Sequence, residues 1–362
     1  MKIAFTSARD TEVKNPIRGF SLWIALAIIL FAVVIGFTAL GIYMRHTLSA
    51  PLHPGSSIYT IERGQTLKSF ARELRRAGVI QEAYSLQAYA RYKDVATRIK
   101  AGQYRFDDGI SQIDLLDKIV SGDVVTYHVQ FIEGQTFRQL RDVLTDVKNL
   151  EQLATGMTND EVMTLLGFAD QHPEGRFFPD TYRFIAGDSD VDILTRAHRK
   201  MAQVVDDEWQ ARAQGLPLQN SYQALILASI IEKETGLASE RSTIAGVFIN
   251  RLKKNMRLQT DPTVIYGIGD AFDGNLTRRH LKTDTPYNTY TRRGLPPTPI
   301  AMPGRESIHA ALHPESTTAL YFVSRGDGSH QFSSTHAEHI RAVRKYQLNG
   351  KSNRNADKGQ DG

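Results

Sequence analysis

Two carboxylates at the end of an apolar segment are the residues of this chain best suited to chemistry. Residues 226–236 read Ile-Leu-Ala-Ser-Ile-Ile-Glu-Lys-Glu-Thr-Gly, which predicts a helix with Ser221 as its N-cap and Gly236 as its stop. At about 100° per residue, Glu234 falls on the middle of the apolar side and Glu232 points almost the opposite way. Burial raises the pKa of a carboxyl group toward neutrality, as a general acid requires. A buried structural ion pair or a solvated helix end would give the same pattern.

Four ordered segments follow this acid. They read Ser-Glu-Arg-Ser-Thr-Ile-Ala-Gly-Val-Phe-Ile-Asn-Arg at 239–251, Met-Arg-Leu-Gln-Thr-Asp-Pro-Thr-Val-Ile-Tyr-Gly at 256–267, Tyr-Asn-Thr-Tyr at 287–290 and Gly-Leu-Pro-Pro-Thr-Pro-Ile-Ala-Met-Pro-Gly at 294–304. The series resembles the YceG-like family, the endolytic murein transglycosylases. The resemblance covers nearly everything after an apolar N-terminal segment and is densest from Leu227 to His339. It implies a bacterial lyase that cuts peptidoglycan glycan strands internally, with its catalytic glutamate at Glu234.

The resemblance implies a reaction that needs a single carboxyl group. The glutamate first acts as the acid that protonates the oxygen between N-acetylmuramic acid and N-acetylglucosamine. It then acts as the base on the muramoyl C6 hydroxyl, which attacks C1 and leaves a 1,6-anhydro end. Nascent glycan strands are the implied substrate, and termination of their elongation is the implied role. Two alternatives stay open: a muramidase that hydrolyses the same bond with Glu234 and Asp261, and a non-catalytic peptidoglycan-binding scaffold.

Further candidate residues lie in the segments after the helix. Asp261 precedes Pro262 in an extended or turning segment and is the leading second carboxylate, with an Asx-turn or a helix cap as the alternative. Glu232 is the alternative acid. Side chains suited to sugar hydroxyls, acetamides and ring faces predict substrate binding by Gln259, Thr260, Tyr287, Asn288 and Tyr290. The cluster of His330, His336 and His339 contains no recognised His-Glu-x-x-His arrangement, so we expect neither a metal nor another cofactor.

The N-terminus predicts the compartment. Residues 22–44 carry no charge and are long enough to cross a hydrocarbon core of about 30 Å, whereas a cleaved signal peptide has a shorter apolar core. Four basic residues precede this segment and two follow it within the next 20 positions: Lys2, Arg9, Lys14 and Arg18 before, Arg45 and Arg63 after. The positive-inside bias predicts that the N-terminus is cytoplasmic and that the rest of this single-pass protein lies across the membrane. The resemblance implies that this membrane is the bacterial inner membrane and that the catalytic domain is periplasmic.

Sequence patterns further predict an α+β protein with several parts. We expect a cytoplasmic N-terminus at 1–21, a transmembrane helix at 22–44, a linker at 45–56, a LysM-like α+β subdomain at 57–120, a mixed α+β catalytic domain at 121–346 and a flexible tail at 347–362. The LysM-like opening, Gly-Gln-Thr-Leu at 64–67, returns as Gly-Gln-Thr-Phe at 134–137, which suggests an internal repeat at an offset of 70.

Composition narrows the classes of function and partner. The chain has no cysteine, which excludes disulfides, thiolate nucleophiles and Cys-ligated metal centres. Its net charge of +5 is spread along the chain, without the basic and aromatic clusters typical of nucleic-acid binding. The partners implied by the resemblance and by the apolar N-terminal segment are peptidoglycan strands, the inner membrane, and peptidoglycan synthases or division and elongation proteins.

Overall fold

A long N-terminal helix opens the structure. The computed structural model describes residues 17–55 and 57–348, and its first helix, α1, spans Ile17–Ser49. The part from Trp23 to Ser49 is long and apolar enough to cross a membrane, by length and composition. The predicted linker is therefore helical up to Ser49, and Leu52 within it is buried. Most of the predicted cytoplasmic N-terminus lies outside the described residues.

The chain divides into two compact units after Val125, close to the predicted domain boundary at 120. Beyond α1, the first unit contains β1 (Ile58–Ile61), α2 (Leu67–Arg76), α3 (Tyr84–Tyr92), β2 (Gly102–Arg105) and α4 (Gln112–Ser121). The two strands pair antiparallel, with Tyr59 opposite Tyr104. Helix α2 buries Leu67, Phe70 and Leu74, as their spacing predicts. The arrangement is strand, helix, helix, strand around one apolar core; its likeness to a LysM module stays a prediction.

The second unit opens with the same order of elements. These are β3 (Thr126–Gln130), α5 (Phe137–Thr145), α6 (Asn159–Leu165), β4 (Thr181–Ile185) and α7 (Asp190–Gln210), with β3 and β4 antiparallel. In both turns a glutamine side chain accepts a backbone N–H three residues earlier, at 2.7 Å for Gln65 and 2.8 Å for Gln135. Thr66 and Thr136 then cap the helices that follow. The repeat predicted from sequence is therefore a structural repeat.

The repeat extends to the second strand of each sheet. Tyr-Arg-Phe occurs at 104–106, across the end of β2, and again at 182–184 in β4. Each phenylalanine packs on a tyrosine of the paired strand, Tyr59 or Tyr127, with ring centroids 5.5 Å apart. The two Tyr-Arg-Phe segments are 78 residues apart, whereas the two Gly-Gln-Thr turns are 70 residues apart. The connection from the turn to the second strand is therefore eight residues longer in the second copy. Two copies of one supersecondary plan thus precede the rest of the second unit.

Helix α8 (Ser221–Glu234) and the remaining helices and strands complete the second unit. The elements after α8 are α9 (Arg241–Lys253), α10 (Asp261–Ile268), α11 (Arg278–Lys282), α12 (Arg305–Leu312), β5 (Tyr321–Ser324), β6 (His330–Ser333) and α13 (His336–Val343), and β5 pairs antiparallel with β6. Helix α8 is buried from Ala224 to Ile231 against α7, α9, α10 and α12. Its N-cap is Asn220, whose side chain accepts the Gln223 N–H, and not the predicted Ser221. The mixed α+β architecture is confirmed; nearly all of the predicted tail lies outside the described residues.

Candidate active site

Helix α8 delivers one carboxylate to a pocket. The helix ends at Glu234, where Thr235 turns to an extended conformation, one turn after the fully buried Ile230 and Ile231. The Glu234 side chain is half-buried and lines an open cavity of about 460 Å³. Cavities of this size accommodate small-molecule or sugar ligands. The buried apolar face of α8 therefore holds Glu234 in position, and the end of the helix leaves its carboxyl group accessible from the cavity.

The surroundings of Glu234 favour its protonated form. The pKa of Glu234 is raised to about 7; burial is the largest cause, the hydrogen bond from Thr260 opposes the rise, and the nearby charge of Asp261 adds to it. His330 and Arg251 also work against the rise. A carboxyl group with a pKa near 7 can donate a proton at neutral pH and accept one later in the same reaction.

Thr260 is the residue that holds the acid in place. Its Oγ1 donates a hydrogen bond of 2.8 Å to Oε2 of Glu234, and its side chain is almost fully buried. Its backbone N–H donates to Oγ1 of Thr289 at 3.1 Å. The preceding residue, Gln259, adopts a left-handed backbone with φ of 52°. The geometry therefore makes Thr260 a positioning group for Glu234, whereas its predicted contact with sugar would require exposure.

Asp261 and Tyr290 line the same pocket as Glu234. Asp261 is exposed and begins α10, with Pro262 next to it in the first helical turn. The Tyr290 hydroxyl donates to Oδ1 of Asp261 at 2.5 Å. Burial, and then this hydrogen bond, raise the pKa of Tyr290, so it stays a neutral donor. Gln259, also exposed, completes the set of predicted residues at this pocket.

Three other predicted residues lie elsewhere. Glu232 accepts the Gly304 N–H at 2.9 Å, on the side of α8 away from the pocket, as the helical rotation predicts. The Tyr287 hydroxyl pairs with Oγ1 of Thr298 at 2.8 Å. Asn288 is fully buried, and its amide donates to the backbone carbonyls of residues 280, 281 and 283. These three side chains therefore stabilise loop segments through hydrogen bonds, and none of them lines the pocket of Glu234.

Sequence reasoning missed Arg251 as part of the site. This arginine is buried on α9, and its guanidinium donates to the carbonyls of Leu320 at 2.6 Å and Leu258 at 2.8 Å. It also lies over the ring of Tyr321, with 5.1 Å from Cζ to the ring centroid. Arg251 thereby links α9 to the segment before α10 and to the start of β5, and all three contribute to the lining of the pocket. An arginine following the apolar run 244–249 carries the same signal of a buried charge that identified Glu234.

The C-terminal histidines also belong to this pocket. His330, His336 and His339 line it together with Glu234. Nδ1 of His330 pairs with Oε2 of Glu240 at 2.6 Å, and its backbone N–H donates to the same carboxylate at 3.0 Å. Their clustering in the sequence therefore reflects a shared place in the pocket wall.

Comparison with known proteins is consistent with this architecture. A profile of the YceG-like family matches residues 59–345. An endolytic murein transglycosylase of Bacillus subtilis is 32% identical over 303 residues, which cover 79% of this chain and 83% of the relative. A protein of the same name from Streptococcus pneumoniae is 25% identical over 340 residues, and the match spans 84% of this chain but only 61% of that relative.

A solved structure gives the same result. The crystal structure of a yceG-like protein from Listeria monocytogenes superposes with a TM-score of 0.50 at 30% identity. The superposition covers 79% of this chain and 98% of the Listeria chain. The family predicted from the ordered segments around Glu234 is thereby confirmed, and the chain belongs to the YceG-like family.

Proposed function

We propose that this protein is an endolytic lytic transglycosylase of peptidoglycan. It cleaves the bond between N-acetylmuramic acid and N-acetylglucosamine in nascent glycan strands, leaves 1,6-anhydro ends and thereby terminates strand elongation. The observation that carries the proposal is Glu234, an acid with a pKa raised to about 7 at the wall of an open pocket. The names of the Bacillus and Streptococcus relatives support the same reaction class.

The proposed reaction uses Glu234 twice. Its protonated carboxyl donates to the glycosidic oxygen while the bond from that oxygen to C1 of the muramoyl residue breaks. The resulting carboxylate then takes the proton of the C6 hydroxyl as that oxygen bonds to C1, which restores the acid. No water is consumed. Thr260 orients the carboxyl group in both steps through its bond to Oε2.

A muramidase is the second candidate, and Asp261 is the observation that favours it. A second carboxylate in the pocket of Glu234 can act as nucleophile or as base toward water. Mass spectrometry of digested glycan strands distinguishes the two reactions. We expect anhydro ends, which are lighter by one water than reducing ends. Products that carry only reducing muramic acid would show that the enzyme is a hydrolase and not a lyase.

The role of Glu234 is tested by comparing two carboxylates of the same helix. Glu234→Gln keeps the shape of the side chain but removes the transferable proton, so turnover should fall by at least ~10²-fold. Glu232→Gln is the matched control, because Glu232 bonds to the Gly304 N–H outside the pocket. Melting temperatures of both variants accompany the rates. The opposite ranking, in which Glu232→Gln folds normally but is inactive and Glu234→Gln is active, would identify Glu232 as the catalytic acid.

We further propose a single-pass orientation in the bacterial inner membrane, with the N-terminus cytoplasmic and the catalytic unit periplasmic. The apolar helix Trp23–Ser49 and the basic residues before it support this orientation. Because the chain has no cysteine, single cysteines report topology directly. A membrane-impermeant maleimide should label Tyr92→Cys in spheroplasts and leave Ser7→Cys unlabelled. The reverse labelling pattern would show the opposite orientation.

We propose peptidoglycan synthases and division or elongation proteins as the partners of this protein.

A further inference from the structure

A second cluster of ligand-forming side chains lies outside the pocket of Glu234. Glu208 of α7 faces His309 of α12 and His313, which follows the end of α12. One ligand atom from each of the three lies within 4.8 Å of the others. The two imidazole rings are stacked, with centroids 4.3 Å apart and planes at 23°. Their spacing of four residues places both rings on one side of the helix end.

The carboxylate of this cluster is prepared to act as a ligand. The Glu208 side chain is only 12% exposed, and its two oxygens have different partners: Oε1 meets Arg305 at 2.9 Å and Oε2 meets Nδ1 of His309 at 2.8 Å. Arg305 thus fixes one oxygen and leaves Oε2 directed at His309, as outer-shell donors do for metal-binding carboxylates.

The donor set selects a class of ion. Two imidazoles and one carboxylate suit zinc and neighbouring divalent transition metals, whereas magnesium and calcium prefer oxygen ligands alone. Tetrahedral zinc requires ligand atoms roughly 3.3 Å apart. The three ligand atoms lie within 4.8 Å of one another, so binding of the ion would draw them closer together by rotation of the side chains. Three protein ligands leave the fourth position to water.

We propose that Glu208, His309 and His313 form a zinc-type metal site that joins α7 to α12. None of the three lines the cavity that contains Glu234, so the ion takes no part in the proposed cleavage. Both helices pack against α8, whose end bears Glu234. The bound ion acts as a cross-link between two helices that support the catalytic helix, and it stabilises the folded second unit.

Zinc titration of the full-length protein in detergent, after removal of metals by a chelator, tests the site. We expect one zinc ion per chain by calorimetry. At 100 times the dissociation constant, zinc should raise the melting temperature by roughly 5 °C or more. His313→Ala should weaken binding at least ~10-fold and abolish the thermal shift. The control is His128→Ala, which removes an exposed histidine of β3 in the same unit and should bind like the wild type.

Two results would overturn the proposal. One is a wild-type protein that shows neither stoichiometric binding nor a thermal shift. The other is binding that survives in His313→Ala but disappears in His336→Ala, which would place the ion among the histidines of the pocket. If His313→Ala does not fold, His309→Gln provides the same test, since it removes the other imidazole ligand and retains a polar side chain. Its melting temperature without metal, compared with that of the wild type, separates folding from binding.

Discussion

Thr260→Val tests whether the environment of Glu234 sets the pH dependence of the reaction. The substitution keeps the shape of a buried side chain and removes the hydroxyl that donates to Oε2 of Glu234 at 2.8 Å. A hydrogen bond to a charged group contributes about 1.5–3 kcal/mol, and each pKa unit corresponds to about 1.4 kcal/mol. Since this bond lowers the pKa of Glu234, its loss should raise that pKa by about one to two units.

The assay is kcat/KM for release of anhydro ends from soluble glycan strands, measured across pH. The alkaline limb of this profile reports the acid of the free enzyme and should lie near the wild-type pKa of about 7. In Thr260→Val it should move toward higher pH, with little change below pH 6, where the acid is protonated in both proteins. Thr298→Val, which removes a buried hydroxyl paired with Tyr287, is the control and should leave the limb in place. An unmoved or lowered limb in Thr260→Val would refute the reasoning.

Three further substitutions follow from the same structure. Asp261→Asn removes a charge that raises the pKa of Glu234, so the alkaline limb should move to lower pH, opposite to Thr260→Val; a move upward would contradict this. Gly246→Ala should lower the melting temperature, although alanine usually stabilises a helix, because its Cβ would lie 2.5 Å from the Glu315 carbonyl oxygen. Glu174 is buried, and burial raises its pKa to about 7. Its stabilising contribution is complete below the unfolded pKa and is lost as pH rises toward 7, about 3 kcal/mol in all. Glu174→Gln should therefore flatten the fall in unfolding free energy between pH 5 and pH 8, measured by denaturant titration; an unchanged slope would contradict the raised pKa.

The catalytic candidate was predictable because its signal is local. The helical period alone placed Glu234 on the apolar side of α8 and turned Glu232 away, and both positions agree with the hydrogen bonds observed. The ordered segments after the helix indicated the family for the same reason, since each is a short run of fixed residues. Helix boundaries were less certain: the cap at Asn220 competes with the adjacent Ser221, and both residue types cap helices well.

Other features depend on contacts between distant segments. Thr260 reaches Glu234 across 26 residues, and Arg251 reaches the Leu320 carbonyl across 69. The periodic spacing of apolar residues does not predict which residues so far apart in the sequence come into contact. Asn288 was predicted as a ligand of sugar because its amide suits that role, but in the structure three backbone carbonyls take its donors. The second half of the internal repeat was missed because the connection between its strands grew, so that a single offset did not align it.

The second copy of the repeated turn is bonded to two distant segments of the second unit, and these bonds have a mechanical consequence. In the second copy, the Gly134 N–H donates to the Met302 carbonyl at 2.8 Å, and the Gly134 carbonyl accepts from Lys233 at 3.1 Å. Lys233 lies between Glu232, which is itself fixed to Gly304, and Glu234. A load on this turn would therefore reach the end of α8 through the side chain of Lys233, whose backbone directly precedes Glu234.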